Sequence, residues 1–239
     1  LPERAPLSLK FPHYAVAALL VHSLVACTSE PPAGNLVTAD ANATAPASNA
    51  TEDGGRLVVA FGDSLYAGYG VLPQESFPAD LQKALAADGI AATVHNAGVS
   101  GDTSAAGLAR LAFTLDGLPR KPDLVIVGLG GNDMLRGIDP EQTRANLTAI
   151  CEELKKRGIP IMLTGMLAAP NMGADYAGRF NPIYADLAKR YGATLYPFFL
   201  DGVVGTPALM LPDHIHPNPQ GIDRIVGKVA PVVAGALGD

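Results

Sequence analysis

The chain of 239 residues is 48% hydrophobic and 17% charged, with a formal net charge of −6. Such a composition suits a soluble globular protein, and its mild acidity excludes the basic stripe that nucleic-acid binding needs. Two cysteines, Cys27 and Cys151, exclude a disulfide framework, and no internal repeat is visible.

Arg4 and Lys10 precede a mostly apolar stretch from residue 11 to 26. His13 and His22 interrupt it, and it is short for a transmembrane helix. It fits the charged and apolar regions of a secretory signal. The stretch ends Leu24-Val25-Ala26-Cys27, which resembles a bacterial lipobox. The resemblance implies lipidation of the Cys27 thiol, and several acyl chains hold a protein to a membrane where one does not. A plain cleaved signal with a chance cysteine is the alternative. Thr28, not Asp, follows the cysteine, which by the same resemblance implies an outer-membrane protein facing the periplasm, or else a soluble periplasmic one. Residues 28–55 are rich in Ala, Thr, Asn, Pro, Ser and Gly, with few large apolar side chains. They cannot build a core and read as a tether.

From residue 57 on, strand and helix patterns alternate. The first strand, 57–62, is a continuous apolar run of the kind buried on both faces, and it runs into Gly62-Asp63-Ser64-Leu65. A helix over 78–88 stops at Gly89. A second strand, 92–95, leads to Gly101-Asp102-Thr103 and a helix carrying Leu108, Leu111 and Leu115. A third strand, 124–129, leads to Gly130-Gly131-Asn132-Asp133. A helix over 140–157 opens on proline and ends at Gly158. A fourth strand at 159–164, a long loop at 165–178, a helix through 188 and a fifth strand at 194–196 follow. Asp213-His214-Ile215-His216-Pro217 then precedes a closing helix over 220–237. Repeated βα units predict an α/β fold: a parallel sheet covered by helices on both faces. Every polar motif then falls at the carboxyl edge of one sheet, where ligands bind.

The chemistry of these motifs can be read from their residues. A serine hydroxyl is a poor nucleophile and needs a base within hydrogen-bond reach. Ser64, at a strand's end, is the candidate nucleophile. Three histidines follow residue 56: His95, His214 and His216. His216 lies three residues after Asp213, a spacing that brings two side chains together on one helical turn. Asp213 would then orient its imidazole and stabilise the charged form. His95 ends a strand and could be structural, and His214 should point elsewhere. Asp63 should bond nearby backbone.

Taken in order, the four motifs resemble the blocks of the SGNH, or GDSL, hydrolase family, most closely its bacterial thioesterase I / lysophospholipase / arylesterase branch. The resemblance spans residues 57–239; with the signal and tether read above, the chain divides into a signal segment (1–27), a tether (28–55) and a catalytic domain (56–239). It implies a three-layer α/β/α sandwich, flavodoxin-like, with five parallel strands in order 2-1-3-4-5. It implies Ser64, Asp213 and His216 as catalytic residues. It assigns the oxyanion hole to the backbone N–H groups of Ser64 and Gly101 and the side-chain amide of Asn132. A glycine at 101 lets backbone approach a substrate closely, and an Asn donor does not compete as a base. The branch often has glycine where this chain has His214. The loop at 165–178 carries Met166, Leu167, Asn171, Met172 and Tyr176, expected to line an acyl-chain groove; the related branch has a substrate-contacting loop here. The alternative is a loop that merely covers the sheet.

The expected activity is hydrolysis of carboxylic esters or thioesters by a monomer without cofactor or metal. Two other readings stay open: a cell-envelope carbohydrate O-deacetylase, and a non-catalytic, lipid-anchored binding protein. Four further signals fall away. Gly98-Val99-Ser100-Gly101-Asp102 lacks the last glycine of a G-x-S-x-G elbow. Gly128-Leu129-Gly130 opens a dinucleotide fingerprint that Asp133 breaks. Asp213, His214 and His216 could ligate a metal, but no cysteine cluster or further histidine pair supports one. Cys151 falls at helical spacing with Leu147, Ile150 and Leu154 and reads as a buried apolar residue.

Overall fold

The computed structural model of the protein describes residues 55–238. The expectations placed on residues 1–54, Cys27 among them, lie outside these residues. The five strands are β1 (Arg56–Gly62), β2 (Ala92–Gly98), β3 (Leu124–Gly128), β4 (Ile161–Thr164) and β5 (Thr194–Tyr196). They form one sheet in the order β2-β1-β3-β4-β5, every pair parallel. The expected order and class are therefore met.

Eight α-helices connect and close the described sheet. They are α1 (Ser64–Ala67), α2 (Phe77–Ala87), α3 (Ser104–Asp116), α4 (Gly131–Leu135), α5 (Pro140–Lys156), α6 (Ala174–Phe180), α7 (Ile183–Tyr191) and α8 (Pro219–Leu237). α2 packs against α8, while α3 and α7 pack against α5. Right-handed crossovers place these two sets on opposite faces of the sheet, giving three layers. β1 and β3 are covered on both sides, so Val58 to Phe61 and Leu124 to Val127 are fully buried and uniformly apolar.

The helix ends follow from local chemistry. Asp139 caps α5 by accepting from the Glu141 N–H, Pro140 opens the helix, and Lys155 and Lys156 sit in its last turn. Asn218 caps α8 by accepting from the Gly221 N–H.

The third strand stops at Gly128 and the fourth starts at Ile161, each shorter than the sequence expectation, and three further differences stand nearer the site. β2 runs on through Asn96, Ala97 and Gly98, because β1 supplies pairing partners as far as Gly62. Asn132 lies in a short helix, α4, rather than in an open loop. The loop expected at 165–178 contains a 3-10 turn at Pro170–Met172 and the start of α6.

Beneath the carboxyl edge lies an aromatic wedge. Tyr66, two residues after Ser64, packs against Phe77 and Phe199 with ring centroids 5.0 and 5.1 Å away. Its buried hydroxyl shares a 2.7 Å hydrogen bond with Thr164 Oγ1. A Cβ on Gly128, at the end of β3, would occupy the Tyr66 ring, so glycine there lets the wedge sit under the strand ends. The turn that carries Ser64 thus rests on a packed floor.

Candidate active site

Ser64 is the first residue of α1, and Asp63 caps that helix. The Asp63 carboxylate accepts from the Leu65 N–H at 3.0 Å, and its carbonyl accepts from the N–H groups of Tyr66 and Ala67. This tight turn at the end of β1 fixes the backbone on either side of the serine. The backbone N–H groups of Ser64 and Gly101 find no acceptor among the described residues. Gly101 has φ +86, a left-handed conformation that side chains rarely adopt.

His216 comes from the opposite side. With its Nδ1 proton donated to Asp213 Oδ2 at 2.6 Å, Nε2 is left to accept from the Ser64 hydroxyl at 2.9 Å. The Asp213–His216 segment is not helical, contrary to the spacing argument. It is a turn in which Asp213 Oδ1 accepts from the N–H groups of Ile215 and His216 at 2.9 and 3.0 Å. The same two residues meet, but the carboxylate's own grip on the backbone brings them together. Leu211 and His216 close the turn from outside, the Leu211 N–H donating to the His216 carbonyl at 2.8 Å.

The two carboxylates here titrate differently. Desolvation by burial pushes Asp63 up to about 6, against the Leu65 N–H, the His216 charge and the Asn132 amide, which favour its ionised form. Desolvation also acts on Asp213, but hydrogen bonds from the His216 backbone and ring and from the Ile215 backbone outweigh it. They hold that carboxyl at about 2, so it stays ionised beside the imidazole.

Asn132 donates through Nδ2 to the Asp102 carbonyl at 3.0 Å and to Asp63 Oδ2 at 3.3 Å. Its neighbour Asp133 is fully buried and accepts from the Ser104 N–H at 2.7 Å and the Thr143 hydroxyl at 3.1 Å. Asp133 thereby ties α4 to the first turns of α3 and α5.

These groups border a cleft of about 430 Å³. Ser64, Gly101, Asn132 and His216 all face it, together with the apolar side chains of Leu65, Met134, Leu135, Met166, Leu200 and Val204. Of the loop residues expected to line an acyl groove, Met166 does so. Leu167, Asn171, Met172 and Tyr176 do not. Tyr176 turns inward because α6 folds back on the core: it stacks on Phe180 and its hydroxyl donates to the Ile138 carbonyl at 2.9 Å. Leu167 lies exposed just past Met166. His214, expected to point elsewhere, borders the cleft too, with its backbone at φ 58. His95 is exposed on edge strand β2 and is not part of the lining. Cys151 is buried, and burial pushes its thiol up to about 12, which leaves it inert as a nucleophile at neutral pH.

Sequence reasoning missed Leu200 and Val204, which enter the cleft from the segment after β5. It also missed Tyr69, whose ring centroid lies 4.3 Å from that of His216. The alternation of elements carries no signal for these contacts, since they form only when the loops meet.

As chemistry, the arrangement offers a hydroxyl bonded to an imidazole, a carboxylate holding that imidazole's tautomer, and amide donors beside the hydroxyl. That is the equipment of acyl transfer. Residues 60–224 match the GDSL-like Lipase/Acylhydrolase family. The chain is 39% identical over 182 residues to "Esterase TesA" of Pseudomonas aeruginosa, a match covering 76% of this chain and 90% of that protein. It is 38% identical over 182 residues to "Arylesterase" of Vibrio mimicus, again with 76% and 90% coverage. Among solved structures, AlinE4, an SGNH-hydrolase family esterase, is 52% identical with a TM-score of 0.66, covering 77% of this chain and 97% of that one. The chain belongs to the GDSL-like lipase/acylhydrolase family, within its SGNH branch of esterases and thioesterases.

Proposed function

We propose that the chain hydrolyses carboxylic esters or thioesters through an acyl-enzyme on Ser64. The Ser64–His216–Asp213 relay, with contacts of 2.9 and 2.6 Å, carries this reading. His216 takes the hydroxyl proton as Ser64 attacks the acyl carbonyl, then returns it to the leaving group. It next takes a proton from water, which attacks the acyl carbon; the Ser64 Oγ–acyl bond then breaks, His216 returns that proton to Ser64 Oγ, and the acid is released. The oxyanion formed in each step is met by the N–H groups of Ser64 and Gly101 and by the Asn132 amide, whose long 3.3 Å contact to Asp63 Oδ2 yields to it.

The apolar cleft favours an acyl or aryl group over a sugar, whose hydroxyls need polar partners that Leu135, Met166, Leu200 and Val204 do not supply. An acyl-chain series of aryl esters and thioesters tests this, with rates rising from acetyl toward longer chains. Faster deacetylation of acetylated polysaccharide would favour the deacetylase reading. Mass spectrometry after treatment with an organophosphonate ester tests the mechanism: the adduct belongs on Ser64. Full activity in Ser64→Ala would overturn it.

The lipobox-like ending at Cys27 supports a lipid-anchored protein of the cell envelope, facing the periplasm from the outer membrane. Cell fractionation and mass spectrometry of the mature amino terminus test this. An unlipidated Cys27, or a mature chain that keeps the residues before it, would overturn the reading.

A further inference from the structure

We propose that Arg110 is a positioning residue for the oxyanion side of the cleft, acting through a closed ring of hydrogen bonds that joins the ends of β1, β2 and β3. The proposal rests on the ester-hydrolase reading above. Arg110 lies in α3 and is not part of the cleft lining. Its Nε donates to Asp102 Oδ2 at 2.6 Å, and its Nη2 donates to the Gly62 carbonyl at 3.0 Å. The guanidinium also lies over the Phe61 ring, 4.2 Å from its centroid.

The ring closes through the site. Gly62 is joined by its peptide bond to Asp63. Asp63 Oδ2 accepts from Asn132 Nδ2 at 3.3 Å. The same amide donates to the Asp102 carbonyl at 3.0 Å, and the Asp102 carboxylate returns to Arg110. Three members bear on the proposed oxyanion donors: Asp63 precedes Ser64, Asp102 follows Gly101, and Asn132 is itself one once its 3.3 Å contact to Asp63 yields. Arg110 is the one member that reaches two strand ends at once without touching the cleft.

The chemistry of the ring asks for arginine. Asp63 and Asp102 are both buried carboxyl residues, at 2% and 9% exposure. A guanidinium presents a flat fork of donors that can bond a carboxylate and a carbonyl together, and it stacks on an aromatic face. A lysine ammonium reaches either acceptor but does not reproduce the fork. Without the cation, the Asp102 carboxylate keeps its burial and loses its partner, which strongly disfavours the present position of the loop. The loop then carries Gly101 and the acceptor of Asn132 with it. Oxyanion donors act over a narrow distance range, and a displacement of about 1 Å costs about 10²-fold in rate.

The test compares the full chain with its Arg110→Met, Arg110→Lys, Asn132→Ala and Arg110→Met/Asn132→Ala variants on p-nitrophenyl butyrate. kcat, KM and Tm are measured separately. Arg110→Met is expected to lower kcat by about 10²-fold while KM stays within about threefold, and Arg110→Lys to recover part of the loss. In the Asn132→Ala background the same change should cost less than about tenfold, because a donor it positions is already gone. A lower Tm with unchanged kcat would overturn the proposal, and so would losses that multiply in full. Should Arg110→Met fail to fold, Asp102→Asn removes the charge pair with little change of shape, and the same non-additivity with Asn132→Ala is required of it. Phosphonate labelling of the unmodified chain is read alongside. A missing Ser64 adduct removes the hydrolase reading, whereas an adduct with normal kcat in Arg110→Met removes only the role of Arg110.

Discussion

Asp63 and Asp213 flank the same Ser64–His216 pair, yet they titrate on opposite sides of the ordinary carboxyl value. Asp63 sits at the buried end of β1, 2% exposed, and burial pushes it up to about 6. Asp213 sits in a surface turn with a third of its side chain exposed. Three hydrogen bonds, two of them from His216, overcome its desolvation and hold it at about 2. The difference lies in the supply of donors. A strand end offers Asp63 one backbone N–H and the long contact from Asn132. The turn wraps two backbone N–H groups and an imidazole around Asp213. Asp213, held at about 2, faces the ring on which positive charge develops, and Asp63, raised to about 6, serves as a helix cap.

The largest effects come from removing the pair that both carboxylates flank. Ser64→Ala and His216→Ala should each lower kcat by about 10⁵–10⁶-fold, and the double variant should lose little more, because the two act as one unit. Single-turnover rates on a soluble aryl ester measure this; losses that multiply would mean that the residues act separately. Asp213→Asn comes next, at about 10⁴-fold in kcat, since an amide there no longer selects the tautomer that leaves Nε2 free to accept. A loss under about tenfold would show that the turn holds the ring without the charge.

How much of this contrast was legible in the sequence depends on distance along the chain. Asp213 and His216 are three residues apart, and their pairing could be read even though the assumed helical turn proved to be an Asx-type turn. Sheet class could be read because β1 and β3 are buried on both faces and so lack alternation. The strand order came from family resemblance, since right-handed crossovers alone permit other orders. What could not be read is contact between motifs. Asn132 reaches Asp102 and Asp63 across 30 and 69 residues, and nothing in either segment announces it. The acyl-groove expectation failed for Tyr176 because a short amphipathic helix turns it into the core, where its hydroxyl finds the Ile138 carbonyl.

Asp63→Asn sharpens the comparison through stability rather than rate. The native protein holds the Asp63 proton up to about pH 6, while the unfolded chain releases it near 3.8. Between those values the native state binds more protons, so this group's contribution is fully present below the lower value and is lost as pH rises through the upper one. Roughly two units correspond to about 3 kcal/mol. Asp213 has the reverse sign: its contribution is present above the ordinary value and is lost as pH falls toward 2. Urea midpoints of the parent and of Asp63→Asn between pH 4 and 6.5 measure the difference. The parent should lose stability relative to the variant as pH rises; parallel curves would mean that Asp63 is not held protonated.

The smallest effect concerns the turn itself. His214 is the one non-glycine residue with positive φ among the described residues, at 58°. The turn demands that conformation because its backbone is closed on both sides of His214. The His214 N–H donates to the Leu211 carbonyl at 3.0 Å, and the next two N–H groups go to Asp213 Oδ1. A side chain in the left-handed region costs about 1–2 kcal/mol, which glycine avoids, although glycine returns part of this as greater freedom of the unfolded chain. His214→Gly should therefore raise stability by about 0.5–1 kcal/mol in denaturant unfolding while the Asp213–His216 contact persists. kcat on a soluble ester should stay within about threefold, because the imidazole at 214 borders the cleft without joining the relay. A loss of stability would show that the His214 ring makes a contact outweighing its backbone strain. A large fall in kcat at unchanged stability would move His214 from the rim of the site into its chemistry.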